Sequence, residues 1–143
     1  MLLLIKMKNE ILLRDFIQKI WNEKDFKSIE AFVNPEYTIH IDTEDPWEGM
    51  TLNHQEFEMR LNYSFNSFPD IHFAIQHTIA DGDYVAITWI MTGTNLGNIG
   101  DFLPTNKSIK TFGVTIYHFK NDKVCGHSQV FDRASVMRQL GFL

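Results

Sequence analysis

The stretch Lys123-Val-Cys-Gly-His-Ser-Gln-Val-Phe-Asp132 reads as a last strand that sets His127, Gln129 and Phe131 on one face. An imidazole exchanges protons near working pH, and a neighbouring carboxamide offers a carbonyl group both a donor and an anchor. No carboxylate stands between the two, and that detail separates a proton-transfer site from a binding cavity. His40 and Asp42, two apart on another strand, read either as a base with an orienting carboxylate or as an exposed polar face. Asp132 is placed to cap the final helix, and Asp70 after Pro69 reads as a turn residue.

Other chemistries find less support. No histidine pair has the i, i+4 spacing of a helical zinc site, and Cys125 has no partner in the sequence, so no metal or other cofactor is expected. His77 and His118 fall on strands without a carboxylate at a regular offset. Gly93, Gly97 and Gly100 lack the order of a phosphate-binding loop. By parity Cys125 shares a side with His127, but a strand cysteine is more often a small buried hydrophobe. Trp47, Trp89, Phe112, Tyr117 and Phe131 are candidates to line a cavity and stack on a flat hydrophobic ligand, with His40 beside them. Ordinary core and a dimer interface are the competing reading for these rings.

The elements that must position these groups follow from periodicity. Ile11, Leu12, Phe16, Ile20 and Trp21 recur at helical spacing over residues 8–22. A short helix over 28–33 ends at Asn34-Pro35. Tyr37 to Asp42 alternates as a strand, with Tyr37, Ile39 and Ile41 on one side and Thr38, His40 and Asp42 on the other. Asn53, with Glu56 three residues on, caps a helix that buries Phe57, Leu61, Phe65 and Phe68. Three strands follow: Ile71, Phe73, Ile75, His77 and Ile79 alternate up to the Asp81-Gly82-Asp83 turn, Val85 to Met91 continue the pattern, and a strand over 108–120 precedes the last one. Helices first and then an antiparallel meander predict an α+β domain, with helices packed on one face of a curved antiparallel sheet.

A chain of 143 residues is most economically one domain, able to bury about 70% of its unfolded surface. Aromatic residues make up 13%, with twelve Phe and three Trp, more than a minimal core needs. A net charge of −5 with no basic run disfavours nucleic acid as a partner. One cysteine permits no internal disulfide, which suits a reducing, cytoplasmic setting. The apolar run at Met1 to Ile5 is too short to span a membrane, residues 1–7 read as a ragged end, and Met7 is an alternative start.

Several short pieces then fall into a recognisable order: Phe68-Pro-Asp70, Ala80-Asp-Gly-Asp-Tyr-Val-Ala86, Gly93-Thr94 with Gly97, Phe102-Leu-Pro-Thr105, Asn121-Asp-Lys-Val124, and the ending from Asp132 to Gln139-Leu-Gly141. The chain after residue 9 resembles the SnoaL-like polyketide cyclases, within the nuclear-transport-factor-like cone fold. The resemblance implies a cone-shaped domain and an aldol-type ring closure with an aspartate on the last strand as acid/base, assisted by a histidine on the strand before. It places Gln129 at the aspartate position and Thr115 at the histidine position, and neither exchanges a proton near neutral pH. Three functions stay open at this point. The first is a cofactor-free cyclase or isomerase using His127, with Gln129 or Tyr117 polarising a ketone. The second is a non-catalytic pocket for a hydrophobic small molecule. The third is an assembly module whose strands Tyr84-Ala86-Thr88-Ile90 and Thr115-Tyr117 form a homodimer face.

Overall fold

The structure, a computed structural model, describes residues 1–143 except the side chains of residues 5 and 6. Helix α1 (Leu2–Phe16) runs directly into a π-helical turn, Ile17–Asn22. Its buried stripe is Leu13, Phe16, Ile17, Ile20 and Trp21, and Ile11 faces outward. The helix starts upstream of the expected residue 8, because Leu2, Leu3, Leu4 and Met7 are helical yet exposed. Their apolar character therefore carries no trace of a packed face.

A 3-10 turn, Phe26–Ser28, and helix α2 (Ile29–Phe32) lead into strand β1 (Val33–Ile39). The strand begins earlier and ends sooner than its alternation suggested. Pro35 is tolerated because the ladder shifts register between Val33 and Thr38, where a missing N–H costs little. After β2 (Thr51–Leu52) comes helix α3 (His54–Ser67). At its start the Asn53 side chain accepts from the Glu56 N–H at 2.8 Å, and the Glu56 carboxylate accepts from the Asn53 N–H at 3.0 Å, the reciprocal cap the spacing predicted.

The remaining strands are β3 (His72–Asp81), β4 (Tyr84–Thr94), β5 (Ser108–Lys120) and β6 (Lys123–Phe131), followed by helix α4 (Arg133–Leu140). They form one curved six-stranded sheet in the order β2-β1-β6-β5-β4-β3. The meander β3 to β6 is antiparallel, but β1 joins β6 in parallel, so the sheet is mixed and not wholly antiparallel as expected. The helices pack against the inner face in one continuous apolar core.

Two register shifts decide which residues look inward. One lies between Ile75 and His77, and beyond it Ile79 is 71% exposed, against the expected alternation. The other makes Cys125 an extra residue in β6: Phe119 pairs with Val124, and His118 already pairs with Gly126. The bulge turns both Val124 and His127 inward and removes Cys125 from the His127 face, correcting the parity reading.

Candidate functional site

The site is assembled by the parallel pairing of β1 with β6, which continues past the end of β1. The His40 N–H donates to the His127 carbonyl at 2.9 Å, and the Gln129 N–H donates to the Ile41 carbonyl at 2.8 Å. The chain then curls into a tight turn. The Asp45 N–H donates to the Asp42 carbonyl at 2.9 Å, and the Gly49 N–H donates to the Ile39 carbonyl at 2.8 Å. Gly49 sits at φ +81°, a conformation that side chains resist. This curl carries Asp42 to the inner side, 1% exposed, directly against β6.

Asp42 is the hub. Its Oδ2 accepts from His127 Nε2 at 2.8 Å, Gln129 Nε2 at 2.9 Å and Arg60 Nη2 at 2.9 Å. Its Oδ1 accepts from Arg133 Nη2 at 3.1 Å. Arg60 also donates to Asp45 from Nε at 3.1 Å and from Nη2 at 2.9 Å, so a buried guanidinium lies between two carboxylates. A second polar chain fixes the amide of Gln129. Trp89 Nε1 donates to Thr115 Oγ1 at 2.8 Å, and that hydroxyl donates to Gln129 Oε1 at 3.0 Å. Gly113 makes room for this arrangement, since a Cβ there would meet the Trp89 ring at 2.2 Å.

His127 is held at both nitrogens. An ionised Asp42 can only accept, so Nε2 carries the ring proton and Nδ1 is the acceptor. Into it the Tyr37 hydroxyl donates at 2.6 Å. Burial would raise the pKa of Asp42, but the hydrogen bond from His127 and the charge of Arg60 prevail and hold it below the usual carboxylate range. For His127 burial prevails over the hydrogen bond to Asp42, lowering its pKa and keeping it neutral. The two directions agree, because Asp42 already balances Arg60 and Arg133 and has less left to hold an imidazolium. Tyr37 stays a phenol, its pKa raised chiefly by burial.

Above this network lies a cavity of about 480 Å³ lined mainly by apolar side chains, among them Trp21, Phe57, Phe73, Trp89 and Met91. Tyr37, Arg60, Tyr117, His127, Gln129 and Arg133 supply its polar wall together with Glu44, Asp45, Ser64 and Ser67. Arg133 lies over the Phe131 ring, 4.3 Å from its centroid. Among the described residues no fully buried side-chain N or O atom lacks a partner, and Tyr117, 6% exposed, stands in the cavity wall. Burial raises its pKa too, so it remains a donor facing the cavity.

Of the sequence candidates, His127, Gln129, Trp89, Tyr117 and Phe131 line this cavity together, and Thr115 stands just behind Gln129. Three do not. His40 lies on the outside, stacked on His118 with ring centroids 4.6 Å apart, because it alternates with the inward-facing Tyr37 and Ile39. Phe112 is on the outer face of β5, and Trp47 packs edge-on against Tyr63 outside the lining. Asp42 pairs with His127 and not with His40. Thr115 and Tyr117 point inward, so the outer face of β5 is Phe112, Val114 and Ile116 instead. Asp132 caps α4, accepting from the Ser135 N–H at 2.9 Å.

Sequence reasoning missed Tyr37, Arg60 and Arg133. Arg60 left a readable signal: it falls on the buried stripe of α3 beside Phe57 and Leu61, where an arginine needs a carboxylate. Among the described residues no group of three or more His, Cys, Asp or Glu is placed to hold a metal ion. Nor is any helix among them long and apolar enough to cross a membrane.

A model of the SnoaL-like polyketide cyclase family matches residues 11–140. Among solved structures, a polyketide cyclase candidate from Acidithiobacillus ferrooxidans is 36% identical, with a TM-score of 0.88 over 94% of this chain and 94% of that one. A candidate SnoaL-like polyketide cyclase from Jannaschia sp. CCS1 superposes with a TM-score of 0.84 at 15% identity, covering 95% of this chain and 93% of its own. AclR, a candidate hydroxylase from Streptomyces galilaeus, has a TM-score of 0.79 at 20% identity, covering 96% and 83%. These last two likenesses are of fold alone. No curated protein matches the chain.

Proposed function

The chain belongs to the SnoaL-like polyketide cyclase family, and on that premise we propose that it is a cofactor-free cyclase or isomerase that enolises a hydrophobic ketone. The observation that carries the reading is a neutral His127 at the cavity wall, backed at 2.8 Å by the buried Asp42 carboxylate. An imidazole so backed gains a proton more readily in a transition state than burial alone would allow. The Tyr117 hydroxyl and the Gln129 amide, both in the cavity wall, then hold the developing enolate oxygen. Gln129 stands where the resemblance implies an acid/base aspartate, and the carboxylate present here is Asp42, which accepts from both Gln129 and His127.

The test uses 2-tetralone as the ketone and follows exchange of its α-protons in deuterium oxide by proton NMR. The wild-type protein should accelerate exchange over buffer, and H127Q should lose ~10²–10⁴ of that acceleration, the usual worth of a placed acid/base group. Wild-type protein that binds 2-naphthol, a planar mimic of the enol, and exchanges nothing would sink the enzyme reading. What then stands is the second reading, binding without turnover. It draws on the saturation of the network: both nitrogens of His127 are engaged and Asp42 accepts from four donors.

Two further elements of the proposal concern the setting. Phe112, Val114, Ile116 and Val130 form an exposed apolar stripe on the outer face of β5 and β6, suited to a second copy of the chain. Cys125, the single cysteine, forms no internal disulfide, in keeping with a cytoplasmic location.

A further inference from the structure

The saturation of His127 raises a problem of access. Its Nε2–H is committed to Asp42 and its Nδ1 lone pair is covered by the Tyr37 hydroxyl, so no basic atom of the ring faces a ligand unobstructed. Tyr37, by contrast, lines the cavity, and its hydroxyl is engaged by His127 Nδ1 at 2.6 Å. We propose that the atom exchanging protons with the ligand is Tyr37 Oη, and that Asp42, His127 and Tyr37 form a relay in which the imidazole is the proton store. This rests on the ketone-enolising reading above and names its reacting atom.

The step balances without any further reactant. The α-carbon C–H bond of the ketone breaks, and its proton goes to Tyr37 Oη. The phenolic proton already on that oxygen passes along the 2.6 Å hydrogen bond to His127 Nδ1. The electron pair left on carbon moves into the carbonyl to give an enolate, whose oxygen takes a hydrogen bond from Tyr117. His127 becomes an imidazolium, facing the Asp42 carboxylate at 2.8 Å. Reversal of the same transfers delivers a proton to carbon, or to the alkoxide formed if the enolate has attacked a second carbonyl. The arrangement follows the logic of a carboxylate–imidazole–hydroxyl triad, with a phenol as the terminal hydroxyl and proton transfer in place of nucleophilic attack. Asp42 does not line the cavity, which confines it to orienting and balancing the imidazole.

Y37F separates this from direct action by His127, because the two predict opposite signs. The relay predicts that Y37F loses ~10²-fold or more of the 2-tetralone exchange rate, with 2-naphthol binding kept within about threefold as the check that the cavity survives. If His127 were itself the base, removing the hydroxyl would uncover Nδ1, and exchange would be retained or rise; that result overturns the relay and leaves the proposed function standing. Nitrogen NMR of the His127 ring supplies a readout independent of turnover. The relay requires the Nε2–H tautomer in the resting wild-type protein, and an Nδ1–H tautomer sinks it, since that nitrogen could not then accept from Tyr37. Wild-type protein without any exchange removes the enzyme reading and the relay with it, an outcome distinct from an active Y37F.

Discussion

Over their middle stretches the two faces of β5 and β6 reverse the usual arrangement, while Ile109, Phe119 and Val124 keep the ends of the inner face apolar. In a sheet covered on one side, apolar residues ordinarily look inward and polar ones outward. Here the inner face carries Thr115, Tyr117, His127 and Gln129, and the outer face carries Phe112, Val114, Ile116 and Val130. Thr115, Gln129 and His127 are tied into one network through Asp42, and Tyr117 lines the cavity beside them. Burying that many polar atoms is costly unless each finds a partner, and here nearly every one does. The outer groups are the reverse: apolar, unpaired and open, with Val130 71% exposed. One face is polar and enclosed, the other apolar and open.

The contrast is broken most severely from within. D42N keeps the volume of the side chain but leaves Arg60 and His127 without their buried charge partner, and loss of one member of a buried pair typically costs about 3–5 kcal/mol. Chemical denaturation should show a loss of that order, and a change under about 1 kcal/mol would mean that Asp45 alone satisfies Arg60.

A smaller effect is expected from pH. His127 is neutral in the folded state with a lowered pKa, while the unfolded chain binds its proton below about pH 6.5. The native state therefore has its full stability above about pH 6.5 and loses it as pH falls toward the lowered value. His118, also lowered by burial and by His40, adds to the same slope. The melting temperature should drop between about pH 7 and pH 5, and more shallowly in H127Q. An identical slope in H127Q would assign the effect to His118.

The mildest perturbation tests the outer face. I116K and V130K replace exposed apolar groups with charges, so the stability of the isolated chain should move by no more than about 0.5 kcal/mol. Sedimentation should nevertheless show a dimer giving way to monomer. A wild-type protein that is already monomeric at all concentrations would refute the idea that a second copy covers this face.

The elements themselves were largely legible from local pattern. The reciprocal Asn53–Glu56 cap, the stripe of α3 and the Asp81-Gly82-Asp83 hairpin depend on residues a few positions apart, and each formed as read. The site was legible only in part. His127 and Gln129 could be placed on an inner face, but the carboxylate that completes them is 85 residues from His127. Its arrival depends on a parallel β1–β6 ladder and on a turn after Ile39, and neither has a local signature. Alternation also misled where it was broken, at Cys125 and between Ile75 and His77, because period-two reasoning cannot see an inserted residue. Arg60 was the overlooked clue, a charge on an otherwise apolar stripe announcing that acids lay opposite.

The extra residue in β6 marks a place where the strand can absorb a change in length as well as a change of side chain. Exchanging Cys125 for another small residue leaves the sequence of inward and outward positions intact. Removing it leaves Val124, Gly126 and His127 consecutive opposite Phe119, His118 and Tyr117, a regular ladder in which Val124 and His127 are two apart and both stay inside. Position 125 is thus a place where lineages of this chain should accept both substitution and loss, because neither moves His127 and Gln129 from the inner face.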